Sequence, residues 1–531
     1  MMDNKKIENM NIDKSLFEFA HVGENLHDTK FDTKPVSSFR DAMRRFAKNK
    51  GSVVAAGIIV ILLLFALIVP PIAESDYTDS YSKGSDLTYL HYGYYLPKVE
   101  GFAGTGFWDG TKKEEINQAT YRKYMAMEKE TGRPVITKEI GTIEIDDILN
   151  KGVLHVVRVD TYAQKGMMSI TLTQKQYEDL MQWQLDNRCQ VIYPQVDHKK
   201  HDPSIPGDNK RPVCLSSDLN IWYACDIKGV PSYAADGSLR PAYLTTSTYT
   251  NADYYYNSLR IAGDDGTYVY AQTTGSGKKS NFLVRVDSYN YFLYKFGEEP
   301  CFAFGTSSEG YDVLTRLANG ARFSFLLAIL VSLINLTIGA IYGAIEGYYG
   351  GVVDMTMERI VDILGGIPFM IVTTLFQMHL AQKVGVVGAL IYAFVLTGWI
   401  GMAGRVRMQF YRFKNQEYVL AARTLGASDK RIILRHIFPN SLGTIITGTV
   451  LVIPGVIFSE TSLSYLGIID LSSSSMSSIG SMLSAGQQYL KDFPHIILFP
   501  ALFIALLMLS FNLFGNGLRD AFNPQLRGSE G

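Results

Sequence analysis

The sequence predicts an all-α polytopic membrane domain of six transmembrane helices, interrupted by an inserted extracytoplasmic α+β domain. Three observations predict it. Uncharged apolar runs occupy residues 53–72, 323–345, 363–382, 384–404, 437–459 and 496–518, each near the ~20 residues that carry a helix across the hydrocarbon core. Inside lipid every backbone polar group must be paired within the chain, which selects helices for such runs. A polar stretch, 74–304, separates the first run from the others and is long enough for a domain with its own core. Lys and Arg, finally, collect on one side of the predicted spans. Whole-chain averages hide this division. With 531 residues, 47% hydrophobic and a formal net charge of -1, the chain resembles an ordinary soluble protein because two materials are mixed.

Residues 1–34 are polar, carry no strong period and read as a cytoplasmic tail. Residues 35–50 differ. Ser37 or Ser38 is placed to cap a helix, Phe39, Met43 and Phe46 share one face, and arginines lie elsewhere. This is the pattern of an amphipathic interfacial helix against anionic headgroups, where each basic residue contributes roughly 1 kcal/mol. The first transmembrane helix follows at 51–73; it lacks a small-residue cleavage pattern and reads as an uncleaved anchor. Lys34, Arg40, Arg44, Arg45, Lys48 and Lys50 precede it. Arg405, Arg407, Arg412, Lys414, Arg423, Lys430, Arg431 and Arg435 crowd the loop before the fifth span, whereas the short loops opposite offer Lys383 and Lys491. Both termini are therefore expected in the cytoplasm, the insert outside, and the chain as a multi-pass protein of the cell (plasma) membrane. The loop 346–362, with Arg359 as its one basic residue, adds nothing to orientation.

All four cysteines, Cys189, Cys214, Cys225 and Cys301, fall in the insert. An oxidising exterior permits disulfides there; three pairings are available, and free thiols are the alternative. Val157-Arg158-Val159-Asp160-Thr161-Tyr162 returns as Val284-Arg285-Val286-Asp287-Ser288-Tyr289. Alternation of valine with charge is the pattern of a half-buried strand, and two equivalent strands of one sheet, or chance, account for the likeness. Residues 172–186 read as an amphipathic helix with Thr173 as its cap. Gly275-Ser276-Gly277-Lys278-Lys279-Ser280 falls short of a phosphate loop, because Lys279 takes the Ser/Thr place and Gln272 the first Gly place. It reads as a surface turn. His198 and His201 lack a further ligand pattern and read as part of a hydrated charged loop; no metal site is expected.

The stretch 417–440 lies between two apolar runs on the basic side. After Glu417, residues Tyr418, Ala421, Ala422 and Leu425 fall at i, i+3, i+4 and i+7 on one helical face. Gly426 stops that helix and Ser428 is placed to cap a second one. The two alanines leave a shallow surface that another protein can approach closely. Within the spans, Asn335, Gln377, His379 and Asn512 are polar. Such residues line a cavity more often than they face lipid, which makes Asn335, Gln377 and His379 candidates for a translocation pathway. Pro368 and Pro454 are expected to interrupt their helices.

The spacing Ala421-Ala422, Gly426, Pro439 resembles the EAA loop of binding-protein-dependent ABC importer permeases, and its surroundings resemble the C-type permease subunit of oligopeptide and dipeptide importers. Gly347-Tyr348-Tyr349-Gly350-Gly351, Asp354, Arg359, Asp362, Pro368, the run 460–467 and the ending 512–520 extend the likeness over about 36–72 and 304–524. Leu420 stands where the family begins with Glu, Ser307 and Tyr311 where Asp and Arg are common, and Asn516 where Asp is common. The resemblance implies a type I ABC importer permease fold over 305–524, with a coupling loop at 405–436 and a short tail at 525–531. It implies a non-catalytic subunit with a second permease subunit, two ABC ATPase subunits and an extracellular substrate-binding protein as partners, and a peptide as substrate. Glu417, Tyr418, Ala421, Ala422, Leu425, Gly426 and Ser428 would meet the ATPases. No cofactor is expected on this chain, since ATP and Mg belong to the partner subunits; membrane lipids surround it, and no nucleic acid is expected. The alternatives are an importer of nickel or another small solute, a membrane sensor with an external ligand-binding domain, and a membrane hydrolase, for which no nucleophile–base pattern is present.

Overall fold

The computed structural model describes residues 38–73, 95–146, 151–195, 222–223, 241–242, 269–274, 281–308, 310–471 and 477–522. The tails 1–34 and 525–531, the turn 275–280, His198, His201, Cys214 and Cys225 lie outside the described residues. Five helices among the described residues are long and apolar enough to cross a membrane: Lys50–Ile72, Val313–Tyr349, Ala381–Phe413, Asp429–Tyr465 and His495–Phe522. The number rises to six if the bent pair Gly351–Gly365 and Phe369–His379 counts as one span. The interruption expected at Pro368 thus divides the apolar run 363–382. The two halves meet at 71°. Pro368 is the cause: it has no N–H to continue the ladder, and its own backbone (φ -61, ψ 124) is extended where it caps the second half.

The 37-residue helix Val313–Tyr349 is the axis of the membrane domain. At 1.5 Å per residue it is about 55 Å long, well beyond a ~30 Å hydrocarbon core. It starts ten residues before the apolar run because Asp312 caps it, accepting from the Leu314 and Thr315 N–H groups at 3.2 and 3.1 Å. Ser307 and Tyr311, just upstream, clasp each other: the Tyr311 N–H donates to Ser307 Oγ at 3.2 Å and the Ser307 N–H to the Tyr311 carbonyl at 2.9 Å. Further along, Gly339, Gly343 and Gly347 form a stripe at every fourth position. A Cβ on Gly343 would lie 2.2 Å from the Ala403 carbonyl oxygen, and one on Gly347 would lie 2.7 Å from that of Arg407. The stripe brings this helix backbone-to-backbone against Ile400–Phe413, as small residues do between membrane helices.

The amphipathic segment forms the helix Ser38–Lys48. Its Ala42 is buried, and Phe46 meets Phe514 of the last span edge-on at 5.4 Å. The first span runs alongside that last span, with Phe65 and Phe503 at 6.0 Å and the Ser52 hydroxyl on the Leu513 carbonyl at 3.2 Å.

The described part of the insert contains three antiparallel sheets: one ordered Thr111–Asn117, Lys151–Asp160, Ile136–Asp146, a second ordered Met167–Thr173, Asn281–Asp287, Ile192–Tyr193, with Ala271–Thr274 also paired to Asn281–Asp287, and a two-stranded pair of Trp222–Tyr223 with Pro241–Ala242. The repeated sextets therefore do not share a sheet, which corrects that expectation. They are the central strands of two like units, each built strand–helix–strand–strand. The registers agree: Thr111 faces Asp160 as Met167 faces Asp287, and Ile136 faces Val159 as Ile192 faces Val286. Their helices, Gln118–Thr131 and Gln174–Asn187, are capped by Asn117 and Thr173. Glu128 Oε1 accepts from the Val135 and Ile136 N–H groups at 2.8 and 2.7 Å. Gln184 Oε1 accepts from Val191 and Ile192 in the same way, both at 2.6 Å. One constant sequence offset relates all these pairs up to Ile192, so the insert carries an internal duplication.

Two ion pairs lock the units together. Arg285, buried, donates to both carboxylate oxygens of Glu130 at 2.9 and 2.8 Å, and Arg133 reaches Asp287 at 3.1 Å. Burial pushes the Asp287 carboxyl above its ordinary pKa, and Arg133 pulls the other way. Arg285→Met, which takes this cation from a buried carboxylate, is expected to destabilise the insert by roughly 3–5 kcal/mol. Limited proteolysis should then cut within 95–304 while the membrane helices stay protected; equal resistance to the parent chain would contradict it.

The insert is stapled to the His495 end of the last span. Phe304 stacks on Phe499 at 4.0 Å, His495 Nε2 contacts the Thr306 carbonyl at 3.1 Å, and the Tyr95 N–H donates to Thr306 Oγ1 at 2.8 Å. Gly305 is required there. Its φ is +73, and a Cβ would lie 2.4 Å from the Tyr95 carbonyl oxygen. Cys189 and Cys301 are free thiols.

Candidate functional site

At the opposite end of the membrane domain, the chain leaves Ile400–Phe413 and forms the short helix Glu417–Thr424. Val419 points inward and is fully buried among Val406, Phe410, Ile432 and Ile437. The face read from the sequence points the other way. Leu425 is 87% and Tyr418 40% exposed, Ala421 is exposed and Ala422 half-buried. Leu420, the position where the resembled family carries Glu, is exposed beside them. The helix therefore buries one side in its own subunit and leaves small and apolar side chains uncovered on the other.

Gly426 ends the helix through its left-handed backbone (φ +80). The Ala427 N–H returns to the Ala422 carbonyl at 3.0 Å and the Gly426 N–H to that of Arg423 at 3.0 Å, a Schellman closure that needs a residue tolerant of positive φ. A Cβ at Gly426 would meet nothing within 4 Å. Ser428 stands at the N-cap of the next helix, but its side chain makes no capping bond; the turn is closed by the Ile432 N–H on the Ser428 carbonyl at 2.9 Å. Residues Ile432–Ile437 then widen into a π-helical turn ahead of Pro439.

Three groups that the sequence marked only as basic residues or as part of the resemblance hold this handle in place. Tyr348, at the end of the axial helix, donates to Asp429 at 2.6 Å and receives Arg423 at 3.4 Å. Arg407 joins Asp354 at 2.7 Å and Glu358 at 3.0 Å, tying the segment after the axial helix to the one before the handle. Lys414 Nζ donates to the Gly347 carbonyl at 2.9 Å; burial lowers its ammonium pKa, while Asp354 nearby raises it. Burial also raises the Tyr418 phenol, which the Asn440 amide meets at 3.3 Å. These contacts join residues far apart in the chain, so no local pattern announces them. Rigid connections from the axial helix to the handle allow a push on one to move the other.

The polar residues assigned to a pathway are not gathered in one place. Asn335 is buried and its amide donates to the Phe394 carbonyl at 3.4 Å, close to Gly398, where a Cβ would sit 2.3 Å away. Gln377 donates to the Val386 carbonyl at 3.1 Å, and His379 is exposed at the end of its helix. A different buried polar group stands out. Glu460 is fully buried, and Ser324 of the axial helix donates to its Oε2 at 2.8 Å. Beside it Gly480 packs so tightly that a Cβ would lie 2.2 Å from the Thr461 carbonyl oxygen. An acidic residue directly after an apolar run was the available signal for it.

Comparison with known proteins follows this division. The profile of the family described as "Binding-protein-dependent transport system inner membrane component" matches residues 335–528, and that of the "N-terminal TM domain of oligopeptide transport permease C" matches residues 37–92. Neither covers the duplicated units. The oligopeptide transport system permease protein OppC of Bacillus subtilis (strain 168) is 42% identical over 224 residues, which is 42% of this chain and 72% of that protein. The dipeptide transport system permease protein DppC of the same organism is 41% identical over 225 residues, 42% of this chain and 69% of that protein. Among solved structures, an inward-facing MetNI methionine ABC transporter covers 39% of this chain and 96% of its own, at 16% identity and a TM-score of 0.33.

Proposed function

This chain belongs to the family of binding-protein-dependent transport system inner membrane components, and from that premise we propose that it is the permease subunit of an ATP-driven importer of oligopeptides or dipeptides. The observation that carries the reading is the uncovered face of Glu417–Thr424, set on a buried Val419 and ending in Leu425 and Gly426. In this reading two ABC ATPase subunits take up that face, one on this chain and one on a second permease. A substrate-binding protein delivers the peptide on the side of the insert, which faces out of the cell. ATP binding closes the ATPases, draws the two handles together and turns the cavity outward; hydrolysis resets it. The cycle is a two-state equilibrium biased by ligand, with the handle converting one motion into the other. Asn335, Gln377 and His379 are proposed to contribute to the pathway that opens between the two permeases.

Purification of the full chain from its native membrane tests the assembly: a second permease and two ATPases should accompany it, and recovery of the chain alone under mild extraction would contradict it. Gly426→Asp tests the contact. A left-handed backbone costs an ordinary residue about 1–2 kcal/mol, and open space surrounds the site, so insertion should survive. ATPase affinity should fall at least roughly tenfold, as loss of an interface anchor does, and uptake should be abolished. Normal uptake by a stably inserted Gly426→Asp protein would overturn the assignment.

A further inference from the structure

Between Glu100 and Asp109 the insert carries Gly-Phe-Ala-Gly-Thr-Gly-Phe-Trp, eight residues without a charge. Phe107 is 64% and Phe102 39% exposed, an unusual outlay of aromatic surface on a folded domain. The three rings form one cluster, Phe102 to Phe107 at 6.1 Å and Phe107 to Trp108 at 5.0 Å. Trp108 is also parallel to Phe499 at 6.1 Å and 3°. Phe499 is the fifth residue of the last span, about 6 Å along it at 1.5 Å per residue. That is the depth at which tryptophan collects in a bilayer. On the same helix Leu498 and Leu502 are exposed, so the aromatic tip continues an apolar surface that already belongs to the membrane.

The loop is also built for a poorly hydrated layer. Several of its backbone groups are paired within the loop and its base: Phe102 N–H to the Val99 carbonyl at 2.9 Å, Thr105 N–H to Phe102 at 3.1 Å, Val99 N–H to Trp108 at 2.8 Å. The Gly106 N–H donates to Asp109 at 2.7 Å, and its carbonyl accepts from Arg158 at 2.7 Å. The Thr105 hydroxyl lies 2.7 and 2.8 Å from the Phe102 and Phe107 carbonyls. Paired backbone is the condition for entering a layer that supplies few hydrogen bonds. Arg158, at the loop's base, also donates through Nε to Thr111 Oγ1.

We propose that the loop 100–108 inserts its aromatic tip into the interfacial layer of the bilayer beside the last span, so that lipid holds the insert upright on the membrane domain. The occupant is lipid because the tip prolongs a membrane helix and carries aromatic rings with no charge. The inference rests on the membrane assignment of His495–Phe522, and stands apart from the coupling role of the handle.

The full chain is reconstituted in vesicles whose lipids carry bromine either near the headgroup end or near the end of the acyl chain, and Trp108 emission is taken as the difference between parent and Trp108→Phe. Headgroup-proximal bromine should quench that emission at least about twofold and chain-end bromine less, as for an interfacial tryptophan; aqueous iodide should quench it little. In the double variant Phe102→Asp, Phe107→Asp the bromine effect should fall and the iodide effect rise. Trp108 quenched by iodide in the parent chain would place the loop in water. Protection from both quenchers would place it under another protein. An unchanged bromine effect in the double variant would show that the tip is not inserted. Each of these results overturns the proposal, and the parent-minus-Trp108→Phe comparison decides it even if the double variant fails to fold.

Discussion

Leu425→Asp is expected to insert and fold like the parent protein and to transport almost nothing. The side chain is 87% exposed, so the chain loses almost no buried apolar area when it is replaced. Under the proposed coupling, the ATPase loses much more. A leucine at the end of a short helix, beside a glycine turn with open space around it, is suited to fill a pocket on a docking protein. Placing a carboxylate in that pocket removes apolar contact and strands a charge. Loss of such an anchor typically costs at least about 2 kcal/mol of binding, or roughly 30-fold in affinity. Titration of the purified membrane subunits with ATPase should show the shift, and uptake should fall with it. Unchanged ATPase affinity in Leu425→Asp would remove this residue from the contact.

Gly343→Leu is expected to have the opposite profile, with the fold itself failing. Ala403 lies against Gly343 so closely that even a Cβ would sit 2.2 Å from its carbonyl oxygen and 3.0 Å from its Cα. Backbone cannot yield as a flexible side chain does, so the helices must part. Overpacking in ordinary cores costs about 1–3 kcal/mol, and a four-carbon side chain against backbone should exceed that range. The seam also carries Arg407 and, one turn on, Tyr348, so the handle should loosen with it. Gly404→Ala is the control, because a Cβ there meets nothing within 4 Å. Thermal unfolding in detergent should place Gly343→Leu far below the parent and Gly404→Ala beside it; equal midpoints for both variants would show that the seam is not close-packed.

The elements that could be read from the sequence are those governed by local or solvent-imposed rules. Lipid forces apolar runs into helices, so the spans around 53–72, 384–404 and 496–518 were visible as composition alone. Gly426 was visible because a helix followed by a left-handed turn calls for that residue. The outward face of the handle was visible as a period, with Tyr418, Ala421 and Leu425 in step. Its inward anchor, Val419, was not, because one buried valine in a short helix has no period of its own. The break at Pro368 was expected as an interruption but not as a 71° turn, since the angle depends on what the two halves pack against. The repeated sextet is visible in the sequence, which leaves one shared sheet or chance as its explanation and does not point to two sheets. Strand partners are chosen across long loops, and the duplication emerges only when the registers of both sheets are laid side by side. Tyr348 with Asp429, Arg407 with Asp354, and Ser324 with Glu460 join distant segments in the same manner.

The handle's role is tested most directly by ATP hydrolysis in the reconstituted assembly, with both permeases, both ATPases and the substrate-binding protein present. Peptide-loaded binding protein should accelerate hydrolysis when this chain is intact, and the acceleration should vanish with Leu425→Asp although the subunit remains in the membrane. The same acceleration in both proteins would mean that the ATPases act on this chain through some other surface.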